Sequence, residues 1–330
     1  MGKSGSERRH PTKAASGSRG QEGWSMFGMK HYNYESFSGQ DLLKHAARIG
    51  FGSGPKPGDR APDFELRSLR GDKIQLSDFE GEKNVVLTFG SATCPFTAAS
   101  IHGMNDLFDE YGARDDLQFL FVYIREAHPG EKLPAHRSQD DKRKAAEFFR
   151  DEEEVEMPIL VDDLEGRVHR KYGKMPNSTY LIDKSGHVAF RSLWTKASIL
   201  EEALQELLSA QEHSDEHVVV HGGQSHAMPM TYAILNSHRA LERGGFRAIR
   251  EFREGLGRPG KIAHSAGRYV GPIVLNPGKT LAAAGLAAAV ISGGLFVGWR
   301  LRQARMQQAM DPYHYGRRPE SGENDYAVGI

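Results

Sequence analysis

The chain has 330 residues, 38% apolar and 26% charged, which suits one or two globular domains with solvated faces. Lys plus Arg and Asp plus Glu both number 43, so the net charge is zero and the strong positive field of a general nucleic-acid binder is excluded. A lone cysteine, Cys94, excludes an internal disulfide and any CxxC zinc site, so a second thiol must come from another molecule.

Residues 1–30 are rich in Ser, Gly, Lys and Arg, with no apolar run. They predict a disordered tail and carry no secretory signal. Met1-Gly2 with Ser6 has the form of a myristoylation signal, a pattern that a Ser/Gly tail also produces by chance. Residues 31–58 predict a short amphipathic helix (41–50, stopped by Gly50) and a linker, GFGSGPKPG. From 59 to 210 strands and helices alternate. NVVLTF (84–89), LQFLFVYI (117–124), PILV (158–161) and STYLID (178–183) predict strands buried on both faces. Helices are predicted near 95–112, 138–152 and 164–173, and HVAFRS after Lys184-Ser185-Gly186 predicts a hairpin partner. A closing helix opens on a capping box at Ser198 and Glu201, with Leu200, Ala203, Leu204, Leu207 and Leu208 on one face. The expected fold is α/β, a mixed sheet flanked by helices.

Residues 211–278 predict a His-rich linker followed by two basic helices around Gly244-Gly245, on a surface near anionic lipid. His213, His217, His221 and His226 are too loosely spaced for a metal site, and none is expected. Residues 281–299 carry no charge and are bracketed by Lys279 and Arg300, so 279–305 predicts one transmembrane helix. Trp299 suits an interfacial anchor, and Gly294 and Gly298 form a GxxxG that points to a homodimer. The tail, 306–330, is polar. Five Lys/Arg between 300 and 318 outnumber three between 261 and 279, which favours an inner C-terminus. Without an export signal, the folded region is nonetheless expected in the cytoplasm.

The chemistry gathers at Gly90-Ser91-Ala92-Thr93-Cys94-Pro95-Phe96-Thr97, between a strand and a helix. Free N–H groups and the positive end of the helix dipole favour thiolate over thiol there, which predicts a lowered Cys94 pKa. Thr97 stands where a CxxC protein carries its resolving thiol and can donate to the sulfur. The order of Cys94, two strand–helix units, Met175-Pro176 and a hairpin strand resembles thioredoxin-like folds. In those folds such a proline is cis and lies beside the reactive cysteine, and the same is expected of Pro176. Asn177-Ser178-Thr179 has the form of a glycosylation sequon but adjoins this proline, so no glycan is expected.

GDRAPDFEL and LSDFEG, in 59–83, resemble the opening of the peroxiredoxin and thiol-specific antioxidant group. GSATCPF (90–96), YIREAHP (123–129) and HRSQDDKRKAA (136–146) resemble the iodothyronine deiodinases, and the likeness continues through ILVDD. In that family the position of Cys94 carries selenocysteine, the nucleophile that takes iodine from an aromatic ring. The resemblance implies a nucleophile at Cys94, proton handling or ligand contact at His128 and His136, and neighbouring roles for Ser91, Thr93 and Glu126. Pro95, Thr97, Met175 and Pro176 complete the expected site. The chain departs from the family in its sulfur, in one proline after Cys94 rather than two, in Arg125 for an acid, and in a C-terminal apolar stretch where the family's anchor is N-terminal. Against the peroxiredoxin pattern P-x-x-x-(T/S)-x-x-C, Ser91 fits and Leu87 replaces the proline.

These features predict a membrane-anchored thiol oxidoreductase of deiodinase-like type that needs no cofactor. Its expected partners are a halogenated aromatic or peroxide electrophile, an external thiol reductant such as thioredoxin or glutathione, and membrane lipid. A one-cysteine peroxidase and a non-catalytic redoxin-fold interaction domain are the two alternatives.

Overall fold

The computed structural model describes residues 32–37, 53–212, 218–220, 237–255, 257–258, 261–262 and 264–265. The predicted tail, the helix at 41–50, the four spaced histidines and the apolar stretch 281–299 all lie outside the described residues. Among the described residues no helix is long and apolar enough to cross a membrane.

Seven strands form one mixed sheet: β1 (Glu65–Ser68), β2 (Lys73–Gln75), β3 (Asn84–Gly90), β4 (Leu117–Tyr123), β5 (Ile159–Val161), β6 (Thr179–Ile182) and β7 (Val188–Ser192), in the order β2-β1-β5-β4-β3-β6-β7. β3, β4 and β5 run parallel, with Val86 opposite Phe119 and Val122 opposite Leu160. β6 lies antiparallel to β3, and β7 to β6. The hairpin β1–β2, which the apolar runs do not announce, joins the far edge antiparallel to β5.

Burial on both faces follows from strand alternation. Val86, Phe119, Phe121 and Tyr123 point into one core, while Val85, Leu87, Phe89, Leu120 and Val122 point into the other. The first core is covered by α1 (Pro95–Tyr111), α2 (Gln139–Glu152) and α4 (Ala197–Gln211), through Ile101, Met104, Phe149, Leu200 and Leu204 among others. The second is closed by α3 (Arg167–Lys171) and the chain before β3, through Val168, Phe64, Leu66 and Leu76. The layout is that of a thioredoxin-like α/β domain, with the site at the carboxyl ends of β3 and β4.

Local chemistry sets the helix ends. Ser138 accepts from Asp141 N and Asp141 returns a bond to the Ser138 N–H, a complete capping box on α2. α4 corrects the expected box at Ser198: it starts two residues earlier, with Lys196 as an N-cap that makes no side-chain bond.

The basic helices are α5 (Ser237–Gly244) and α6 (Phe246–Gly255), turned at Gly245. Two of their cations are not lipid-facing as expected. Arg239 Nη2 lies 2.7 Å from the fully buried carboxylate of Glu153, and Arg243 pairs with its other oxygen. An ion pair out of water outweighs exposure for these two side chains: among the described residues the next group near the Glu153 carboxylate, at the end of α2, is His102 at 3.8 Å. The exposed carboxylate of Glu131 caps α6 by accepting from the N–H groups of Phe246 and Arg247.

Candidate active site

β3 ends at Gly90, whose missing side chain is a requirement of packing: a Cβ there would come within 2.5 Å of the Phe121 ring and 2.7 Å of Thr97 Oγ1. The chain then turns through Ser91, whose carbonyl accepts from Cys94 N at 3.2 Å. Cys94 itself is the N-cap of α1, with extended backbone, and Pro95 occupies the first turn, where no N–H is needed.

The sulfur is 0% exposed. Burial pushes the thiol up, against donation from the N–H and hydroxyl of Thr97 and the N–H of Phe96, and the Glu126 charge pushes it up further. This corrects the expected lowered pKa. The helix-end donors are present, but desolvation of the anion exceeds them.

Behind the turn Glu126, also fully buried, gathers three donors and lies beside an imidazole. Its Oε2 accepts from Thr93 N at 3.0 Å and Thr93 Oγ1 at 2.5 Å. Its Oε1 accepts from the Tyr123 hydroxyl and lies 3.4 Å from His136 Nε2. Burial raises this carboxyl, yet His136, Thr93 and Tyr123 together hold it below the usual carboxylate range. The Tyr123 oxygen in turn accepts from Ala92 N at 3.2 Å. Glu126 is thus tied to both residues that precede Cys94.

The two histidines occupy different environments. Neither ring nitrogen of His136 makes a hydrogen bond, and the ring lines a cleft of about 710 Å³ bordered by Lys132, Leu133, Lys144, Phe148 and Arg243. His128 lies between the rings of Phe37 and Phe252, with centroids 4.1 and 5.6 Å away, and its Nδ1 is unpartnered. Burial there pushes the imidazole down to about 3, so it is neutral at neutral pH. Its backbone N–H donates to Thr93 Oγ1 at 3.1 Å.

The Met175–Pro176 peptide is trans, which corrects the expected cis bond. Gly173 and Lys174, both at positive φ, make the turn, and His169 Nε2 holds the Met175 carbonyl at 2.8 Å. The trans form carries the usual advantage of about 0.5–1 kcal/mol at X–Pro. Asn177 is the residue brought to the Cys94 turn, its amide 3.4 Å from Phe89 O and 3.5 Å from Thr97 Oγ1.

Three further groups escaped the sequence reading. Tyr123 looked like one more strand residue. His169 is a buried imidazole that accepts from the Tyr32 hydroxyl at Nδ1 (2.8 Å) while Nε2 donates. Tyr34, in what read as a linker, donates to Ala127 O at 2.7 Å. An aromatic pair in an otherwise polar stretch was the available signal for Tyr32 and Tyr34. Among the described residues no group of three or more His, Cys, Asp or Glu could hold a metal ion.

A thiol at a strand-to-helix turn, on a central parallel strand of a mixed sheet, defines a thioredoxin-like redoxin domain. Residues 57–191 match the AhpC/TSA family, and the domain is similar to its deiodinase-like branch. The chain is 29% identical over 151 residues to thyroxine 5-deiodinase of Gallus gallus, covering 42% of this chain and 57% of that protein. It is 29% identical over 136 residues to type I iodothyronine deiodinase of Xenopus laevis, covering 38% and 53%. The chain thus spans about half the length of the curated relatives it matches. A thiol-disulfide oxidoreductase from Bacteroides fragilis is 19% identical over 45% of this chain and 99% of that one, with a TM-score of 0.35.

Proposed function

We propose that the domain is a thiol oxidoreductase in which Cys94 attacks an electrophile and Glu126 and His136 serve its protons. The observation that carries the reading is the Glu126 cluster: a buried carboxylate bound to Thr93, next to the nucleophile, and 3.4 Å from an imidazole that lines a solvent cleft. Such a chain can move a proton between the buried turn and water without exposing the sulfur. His128, boxed and neutral, is assigned to ligand contact rather than to acid chemistry.

With a halogenated aromatic, the thiolate takes the halogen as a sulfenyl halide, and the ring carbon keeps the bonding electrons and receives a proton. An external thiol then displaces halide to form a mixed disulfide, and a second thiol restores Cys94 and leaves as the disulfide. The likeness to proteins named for thyroxine and iodothyronine deiodination supports a halogenated aromatic as substrate. The match to the AhpC/TSA family favours a second reading, in which a peroxide oxidises Cys94 to sulfenic acid and the same thiols reduce it. Thioredoxin or glutathione is the proposed reductant. Attachment to a membrane through 279–305, with the domain on the cytoplasmic side and two copies meeting at the GxxxG, completes the proposal.

The test is turnover of the full chain with iodinated phenols and with peroxides, in excess dithiothreitol. Cys94→Ser should abolish activity. Glu126→Gln and His136→Ala should each slow it roughly 10²–10⁴-fold, the usual share of acid–base catalysis. Activity that survives in Cys94→Ser would overturn the reading. The faster substrate class decides between its two forms.

A further inference from the structure

A thiol that attacks an external molecule must be reached, yet Cys94 is 0% exposed. Two pieces of chain outside the sheet domain cover its surroundings. The helix pair α5–α6 is the firmer. Arg243 donates to Ala92 O at 3.2 Å, Lys132 N donates to Gly244 O at 3.2 Å, and the Glu153 ion pairs sit beneath.

Residues 32–37 are held otherwise. They make no main-chain to main-chain hydrogen bond with any described residue, and side chains supply nearly every contact. The Tyr32 ring is surrounded by three cations, Arg125 at 4.8 Å, Arg170 at 5.2 Å and Lys142 at 5.5 Å, and its hydroxyl meets His169. Gly166 makes room for that ring, since a Cβ there would lie 2.0 Å from it. The Tyr34 ring lies 5.0 Å from the Arg125 guanidinium, and burial, with the Cys94 and Glu126 charges adding to it, pushes its phenol up against Arg125. Phe37 covers His128, and its N–H donates to Glu251 at 2.9 Å.

We propose that residues 32–37 are a latch over the 125–128 loop, which bonds to Thr93 beside Cys94, and that its release from the folded domain admits substrate and reductant to the sulfur. Side-chain plugs without a backbone ladder open locally at lower cost than the sheet unfolds. Release would also remove part of the burial that keeps the thiol protonated, while the N–H groups of Phe96 and Thr97 stay in place. The latch thus couples access to activation. The inference rests on Cys94 being the reacting thiol, but labelling measures access whether or not turnover occurs.

The experiment is maleimide labelling of Cys94 in the full chain, over urea concentrations below the unfolding transition. Labelling should depend on urea with a small fraction of the global m-value. Tyr32→Ala with Tyr34→Ala should speed it roughly tenfold or more, as cation–π contacts and two hydrogen bonds are lost. Glu131→Gln, which loosens the seat of α6, should change it less than about twofold. Labelling that carries the full global m-value would overturn the latch, and so would a control that accelerates as much as the double variant. If the double variant loses its near-ultraviolet circular dichroism, the urea dependence of the unmodified protein decides alone. Fast labelling in a variant chain without turnover would remove the functional reading and leave the latch standing.

Discussion

At Glu126 two physical demands meet: a charge removed from water, and three donors that must all have an acceptor. Glu126→Gln replaces one acceptor oxygen by a donor facing another donor, and should cost about 1–3 kcal/mol of stability in urea unfolding. Because the carboxylate charge also holds Cys94 protonated, the same variant should lower the midpoint of thiolate absorbance against pH. A midpoint that stays or rises would show that the sulfur does not feel Glu126. His128 makes a different forecast. Its folded pKa of about 3 lies below the unfolded value, so its contribution to stability is complete above about pH 6.5 and is lost as pH falls from there. The loss approaches about 1.4 kcal/mol per pH unit. Urea melts at pH 7, 6 and 5 should show this slope, and His128→Phe should flatten it.

Among the elements, the capping box of α2 and the docking of α5–α6 are the clearest energetic units. Ser138→Ala removes a bond to Asp141 N and should cost about 1 kcal/mol in thermal or urea melts. Glu153→Ala leaves Arg243, whose side chain is 8% exposed, without its carboxylate. Breaking a buried pair from one side costs about 3–5 kcal/mol, so α5 and α6 amides should lose protection from hydrogen exchange while the sheet keeps it. The contrast explains what the sequence made legible. Continuous apolar runs identified β3, β4 and β6 because those strands are buried on both faces, and the leucine stripe identified α4. β1 and β2 escaped notice because their three or four residues are half-exposed and carry charge. Arg239 and Arg243 read as surface cations because their partner lies 86 and 90 residues away.

For the whole molecule, the cysteine turn and its acid neighbours were legible because they fall inside ordered local motifs. The covering of the thiol was not. Tyr34, Phe37, Phe252 and Gly244, which pack on Ala127, His128 and Thr93 beside the turn, come from both flanks of the domain and meet only after folding. A local motif supplies the donors that lower a thiol pKa; the surrounding chain sets the burial that raises it. The net direction is a property of the tertiary structure. Hydrogen exchange should therefore rank the molecule from slow β3 and β4, through α5–α6, to residues 32–37.

The outer edge of β7 bears on how the domain can be excised. Val220 N donates to Ala189 O at 3.0 Å, and the Val220 side chain joins the core under α1, α2 and α4. A fragment cut at 210 would lose this border and the helix pair together. It would present free peptide groups beside bared hydrocarbon, the arrangement through which sheets of separate molecules zip together. Gel filtration should show the fragment 31–210 as concentration-dependent oligomers and 31–258 free of such association through the β7 edge.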